Sequence, residues 1–242
     1  MVAKGATQLP RKKIFQFLDI PRFAAPDILN MDAATTGLRI GHERMQGHGY
    51  ISYESVWSAF PKVIRGYATD DFIEQQFSYY RKSRDSWKNQ ELQTIVKLLR
   101  EAFGGKGRWY PASKNFKEVL GVRFRPPIRG FWFYQGRSYA ISANLRKKQR
   151  LTLEQMQFLA RAAYEIHCVN DPNDPIPLII DLSQASEGLQ RERRLFTFEP
   201  NEMMPLEAME AGLREFFSAL AIAGVCAIPP RNIGLLDQFR SW

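Results

Sequence analysis

The chain has 242 residues, 45% of them hydrophobic and 24% charged, so it is long enough for a sizeable buried core and is not a disordered tail. Its 34 Lys and Arg residues outnumber 25 Asp and Glu, and the net charge of +9 at pH 7 favours polyanionic partners. The longest apolar run, residues 216–228, is shorter than the roughly 20 residues that a membrane span needs.

Residues 1–50 have weak periodicity and are interrupted by prolines and by a Gly-rich run at 41–49. Within them, residues 12–20 are compatible with a short strand or one turn of helix before Pro21. The apolar content is too high for a free tail. We therefore predict a loop-rich N-terminal arm that packs on the main body or on a partner.

We predict that residues 51–105 form a helical region. A short helix is predicted from Tyr53 to Phe60, ending near Pro61, and a second begins at Asp70 after the N-cap residue Thr69. A third is indicated by apolar residues spaced i, i+3, i+4, i+7 over residues 92–103, before two glycines.

Residues 106–242 show extended segments followed by helices. Strands are predicted at 119–124, 130–134 and 137–145, the last two joined by a Gln135-Gly136 turn, and a further strand at 176–182. The third strand alternates apolar with small polar residues, which is typical of a half-buried antiparallel strand.

Helices in this region are predicted from Thr152, in a capping box with Gln155, to about Ile166 and from Pro205 to about Ala223. The fold class is therefore α+β, with a helical N-terminal half. The C-terminal half is expected to hold a small, mainly antiparallel sheet with packed helices.

A basic segment, residues 104–150, holds twelve Lys and Arg residues against one acidic residue, with nine aromatic residues among them. Cationic side chains bind phosphates, and aromatic rings stack on bases, so this composition predicts a nucleic-acid interface, with RNA or single-stranded DNA favoured. A membrane surface, an acidic protein or plain solubility are alternative explanations of the charge. The candidate binding residues are Lys106, Arg108, Arg123, Arg125, Arg129, Trp132, Tyr134, Arg137, Arg146, Lys147, Lys148 and Arg150.

Two stretches of the sequence resemble known families. Residues 129–134, Arg-Gly-Phe-Trp-Phe-Tyr, partly resemble the central-strand signature of the RNA-recognition motif, although Trp132 occupies a position that normally holds a small residue. The order helix, three strands, helix, strand over residues 90–182 is similar to that of the restriction-nuclease core. The second and third strands lack the carboxylates which that chemistry needs for Mg²⁺, and Asp181 alone is typical of a cap or turn residue.

The Gly-rich loop offers an alternative, catalytic interpretation. His42, Arg44 and His48 combine a titratable base with a cation, so a metal-independent endoribonuclease is possible there. No other catalytic motif is complete, and the sequence predicts neither a metal site nor a cofactor.

The sequence therefore predicts a non-catalytic nucleic-acid-binding protein that works as a subunit of a larger nucleoprotein assembly. Two cysteines in apolar surroundings and the lack of a signal peptide indicate a cytoplasmic protein that does not enter the membrane. An apolar C-terminal tail, residues 228–242, predicts a protein partner. A protein-interaction adaptor is the remaining alternative.

Overall fold

The computed structural model describes residues 17–19, 53–78, 86–112, 117–119, 122–125, 128–148 and 150–222, with the backbone alone at 17–19, 117–119, 122–125 and 215–222. The chain divides into two compact units. The larger unit contains residues 50–113 and 127–203, and the smaller contains residues 1–49, 114–126 and 204–242. The larger unit therefore unites the predicted helical region with most of the predicted sheet.

The larger unit is built on a five-stranded sheet. Its strands are β2 (Arg108–Pro111), β5 (Ile128–Tyr134), β6 (Arg137–Asn144), β7 (Ile176–Asp181) and β8 (Arg194–Thr197), and they lie in the order β2-β5-β6-β7-β8. β5 is antiparallel to both β2 and β6, β7 runs parallel to β6, and β8 is antiparallel to β7. The fold is therefore α+β with a mostly antiparallel sheet, as the sequence predicted.

Three helices contribute to the core on one face of this sheet: α1 (Glu54–Ile64), α2 (Asp70–Gln76) and α3 (Ser86–Phe103). Thr69 caps α2 as predicted, its hydroxyl accepting a bond from the Phe72 N–H. The predicted end of the first helix at Pro61 was wrong, because α1 continues to Ile64. Val63 and Ile64 are fully buried in the core, and this tertiary packing outweighs the helix-breaking tendency of an internal proline.

The opposite face carries α4 (Leu153–Ala163), which continues into a π-helical turn, Tyr164–Cys168. The predicted capping box is present: the Gln155 N–H donates to the Thr152 hydroxyl, and the Thr152 N–H donates to the Gln155 side chain. Because helices lie on both faces, β6 is buried on both sides rather than half-buried as predicted. Small residues on β6, Ala140 and Ser142, let α4 approach closely.

The smaller unit contains a three-stranded sheet of order β1-β4-β3 and a helix, α5 (Leu206–Ile222). Its strands are β1 (Phe17–Asp19), β3 (Lys117–Val119) and β4 (Val122–Arg125), so the strand predicted at 119–124 is a hairpin outside the larger sheet. In the larger sheet, the position next to β5 that was expected for the 119–124 strand is occupied by β2. None of the helices in the described ranges is long and apolar enough to cross a membrane.

Candidate nucleic-acid interface

The aromatic strand β5 has two chemically different faces, because successive side chains of a strand point to opposite sides. Trp132 lies on the face covered by α1 and α3 and is only 9% exposed. Its Nε1 donates a 2.8 Å hydrogen bond to the Lys106 carbonyl, and its ring meets Phe103 edge-on at 4.9 Å. Tyr134 stacks on Trp132 with ring centroids 4.9 Å apart. These contacts make Trp132 a core residue whose ring is not open to a base.

The other face of β5 presents its aromatic rings differently. Phe133 is 41% exposed and Phe131 is half-buried, and on the neighbouring strand Tyr110 is 52% exposed. In the β2–β5 register Arg108 pairs with Phe133 and Tyr110 pairs with Phe131, and directly opposed residues of an antiparallel pair share a face. Arg108, Tyr110, Phe131 and Phe133 therefore form one surface, called the aromatic face below.

The position of α4 explains why the aromatic face is open. α4 and the π-helical turn contact β6 and β7, whereas β2 is an edge strand of its sheet. The covering layer reaches β5 at Ile128, which packs in one cluster with Ala163 and Cys168, and at Phe131, whose ring lies 6.3 Å from that of His167. Two exposed aromatic rings and an exposed arginine thus lie beyond the layer formed by these elements.

The predicted basic residues differ in how they are paired. Arg129, beside Trp57, binds Glu54 at 3.0 Å, and on the loop after β6 Lys148 binds Glu187 at 2.8 Å. Lys147 is 4.0 Å from Glu91, and Arg150 is 3.4 Å from Glu192. The local sequence lacks carboxylates, but the fold brings them from distant segments. These pairs reduce the charge that the basic segment offers to a polyanion. The Lys148–Glu187 pair is fully exposed and is easily screened by salt.

Three predicted residues, Lys106, Arg108 and Arg137, are exposed and have no acidic partner within the described part of the chain. Lys106 only donates a 3.1 Å bond to the Ala102 carbonyl. Arg137 follows the Gln135-Gly136 turn, at the same end of β5 as Phe133 and its neighbour Arg108. The three cations therefore lie near the end of β5 that carries Phe133, with Arg137 at the start of β6 as the partner of Tyr134 on the opposite face.

The remaining predicted residues do not add exposed cations of this kind to the described structure. Arg146 is half-buried and engaged in other contacts. Arg123 and Arg125 lie on β4 in the smaller unit, where the backbone alone is described. The proposed catalytic residues of the Gly-rich loop, His42, Arg44 and His48, lie outside the described residues.

The carboxylates nearest the carboxyl ends of β6 and β7 are bound by arginines. Asp181 is fully buried: its Oδ1 accepts bonds from Asn144 and the Ser183 N–H, each at 3.0 Å, and its Oδ2 binds Arg194. Such satisfied hydrogen bonding agrees with the structural role predicted for Asp181.

A second buried ion pair joins α3 to the same end of the sheet. Arg191 binds Glu91 and also donates to the carbonyls of Leu145 and Leu182. Burial raises the pKa of the neighbouring Tyr53 above 10.0, although Arg191 opposes this shift. No group of three His, Cys, Asp or Glu side chains that would suit a metal ion exists among the described residues.

No known protein-family model matches the chain, and no curated protein is significantly similar to it. The case for function therefore depends on the geometry. The exposed rings that the sequence-based candidates did not include are Tyr110 and Phe133, both on strands whose pairing decides which rings are exposed. The alternation of β5 was the available signal, since it divides 131–134 into two pairs, but it did not say which pair is buried.

Proposed function

We propose that this protein is a non-catalytic nucleic-acid-binding protein that takes up single-stranded RNA or DNA on the aromatic face. Phosphates are bound by Lys106, Arg108 and Arg137. The observation that carries the proposal is the exposure of Tyr110 and Phe133 beside Arg108, which has no acidic partner among the described residues.

The stacking step follows from ring geometry. A base stacked on an aromatic side chain gains about 1 to 3 kcal/mol, and every base has a face that can stack. Tyr110 and Phe133 belong to adjacent strands but are not directly opposed, since Tyr110 pairs with Phe131. The diagonal spacing on a sheet is roughly 7 to 8 Å, which suits two unstacked bases of an extended strand.

The phosphate step follows from the three cations that have no acidic partner in the described ranges. Single strands lose affinity with a slope of about −0.7 for each phosphate contact in a plot of log K against log salt. Three contacts therefore give a slope near −2. The paired residues Arg129, Lys147, Lys148 and Arg150 can add to this only after giving up a carboxylate, so they are secondary in the proposal.

The proposal includes a place in a larger nucleoprotein assembly. The apolar C-terminal tail that motivates a protein partner lies outside the described residues. The alternative, a metal-independent ribonuclease at the Gly-rich loop, concerns residues outside the described ranges as well. An incubation of the full chain with labelled RNA and EDTA separates these functions: we expect intact RNA, and cleavage that is lost in His42→Ala would support the enzyme instead.

A salt titration with a fluorescent 12-mer of single-stranded RNA tests the interface itself. We expect the triple variant Lys106→Ser, Arg108→Ser, Arg137→Ser to lose affinity and to flatten the salt slope by about 2. The matched control, Lys148→Ser with Arg150→Ser, removes two cations that have acidic partners, and we expect a smaller change of slope. If the control loses as much affinity per charge as the triple variant, the aromatic face is not the phosphate-binding surface.

A further inference from the structure

A pocket of about 290 Å³ lies at the end of the larger unit where the β5–β6 turn meets the start of β7. Its polar lining comes from β6, from the turn before β7 and from the segment after β8. The residues that matter for its chemistry are Arg137, Ser138, Tyr164, Asn173, Asp174 and Glu199. The volume is sufficient for one nucleobase.

Three features mark the pocket as more than a surface irregularity. Ser138 is only 8% exposed and lines the pocket, yet its hydroxyl takes part in no hydrogen bond within the described ranges. Tyr164 begins the π-helical turn, a rare element that is common at functional sites. Asp174 has a φ of 42°, in the left-handed region that few residues other than glycine adopt. The Ser138 hydroxyl is not one of the fully enclosed polar atoms, so it is reachable from the pocket and free to bind a ligand atom.

The lining indicates which ligand the pocket accepts. Asp174 and Glu199 supply carboxylate oxygens, which accept hydrogen bonds from N–H groups and repel phosphate. Flat apolar walls come from Pro175, Pro200 and Phe198. A planar ring that carries an amino group satisfies both features, because carboxylates accept bonds from the exocyclic amino group of a base.

The pocket adjoins the aromatic face. Ser138 is the direct partner of Phe133 in the β5–β6 register, so the two side chains share a face of the sheet. Tyr164, on the pocket wall, packs in the same cluster as Phe131. A strand whose bases stack on Phe133 therefore brings the next base to the mouth of the pocket, beside the exposed Arg137.

We propose that this pocket binds a single nucleobase with an exocyclic amino group, and so gives the aromatic face a preference for cytosine, adenine or guanine over thymine or uracil. The base donates its amino hydrogens to Asp174 and Glu199, the Ser138 hydroxyl binds a ring nitrogen or carbonyl, and Arg137 binds the attached phosphate. This inference rests on the proposed function for the strand that delivers the base, but the pocket itself can be tested separately.

The first test compares single-stranded oligo(dC) and oligo(dT) 12-mers in fluorescence anisotropy with the full chain. We expect about tenfold tighter binding of oligo(dC), since one well-placed hydrogen-bonded base typically discriminates by that order. Glu199→Gln and Asp174→Asn each replace an acceptor oxygen by a donor and should reduce the ratio to about twofold without weakening oligo(dT). Asparagine tolerates the left-handed backbone of residue 174. Glu74→Gln, on exposed α2, is the matched control and should keep the ratio.

The second test uses the mononucleotides dCMP and dTMP in saturation-transfer NMR, which does not depend on the aromatic face. Saturation of dCMP that exceeds that of dTMP and is lost in Glu199→Gln supports the pocket, even if no oligonucleotide binds and the proposed function fails. Equal oligo(dC) and oligo(dT) affinities together with equal mononucleotide signals overturn the inference while leaving the proposed function in place.

Discussion

Two neighbouring residues of β5 should respond oppositely in stability and binding assays. Trp132 and Phe133 are both large aromatic residues of one strand, but Trp132 lies in the core and Phe133 is exposed. We consider Trp132→Ala and Phe133→Ala. The first change removes a packed ring, and the second removes a ring that the proposal assigns to base stacking.

The expected magnitudes follow from the contacts. Truncation of a buried Trp to Ala costs about 3 to 5 kcal/mol, and the Lys106 carbonyl also loses the hydrogen bond from Trp132 Nε1. Phe133 keeps a large part of its surface in solvent in the folded state, so its truncation should cost about 1 kcal/mol in stability. Its loss should weaken single-strand binding by about 1 to 3 kcal/mol, the value of one stacked base.

Stability is measured by urea unfolding followed by circular dichroism, and binding by anisotropy of a labelled single-stranded 12-mer. Trp132→Phe, a milder core change, keeps the comparison usable if Trp132→Ala does not fold. We expect the core variants to be unstable but to bind in proportion to the folded fraction, and Phe133→Ala to be stable but weak in binding. Equal destabilisation by both truncations, or unchanged affinity in Phe133→Ala, would refute the assignment of the two faces.

Three further predictions concern the larger unit. Arg191→Met should cost about 3 to 5 kcal/mol in urea unfolding, because two carbonyls lose their buried donor and Glu91 keeps only Lys147, 4.0 Å away. Arg193→Met, in an exposed pair, should cost at most about 1 kcal/mol. Burial raises the pKa of the Cys168 thiol from 9.0 to about 12. Because the thiol of the unfolded chain ionises at lower pH than that of the folded protein, the free energy of unfolding should fall as the pH rises. We expect a decrease of about 1.4 kcal/mol between pH 8 and 10 relative to Cys168→Ala. Gly130→Ala should lower the thermal midpoint, because the added Cβ would lie 2.4 Å from the Trp109 ring; an unchanged midpoint would contradict this packing.

Local signals in the sequence were sufficient for several elements. The Thr152 capping box and the Thr69 N-cap depend on residues three positions apart, and both are present. The Gln135-Gly136 turn has positive φ at both residues, 50° and 77°, which fits the twist of a two-residue hairpin. Such features are set within a few residues of chain, and tertiary packing did not have to be known to predict them.

Long-range pairing explains what the sequence did not reveal. Arg129 and its partner Glu54 are 75 residues apart, and Lys148 and Glu187 are 39 residues apart, so an absence of nearby carboxylates said little about neutralisation. The edge strand β2 is four residues long and has no alternation in hydrophobicity strong enough to identify it. Its register with β5 decides that Tyr110 joins the aromatic face, and register depends on the assembled sheet.

The sheet also bears on the resemblance to the restriction-nuclease core. The order α3, β2, β5, β6, α4, β7 reproduces the helix and strand order that the sequence suggested, with β2 in place of the hairpin at 117–125. Function depends on the site rather than on such an order. Glu91 on α3 and Asp181 on β7 are acidic residues of this framework, but Arg191 and Arg194 bind them. A metal ion would have to displace the buried guanidinium of Arg191 and the partly buried guanidinium of Arg194, leaving those cations unpaired at a cost of several kcal/mol. Lys106, Arg108 and Arg137, by contrast, are exposed and have no acidic partner in the described part of the chain, which favours the binding of a nucleic acid over metal-assisted cleavage of it.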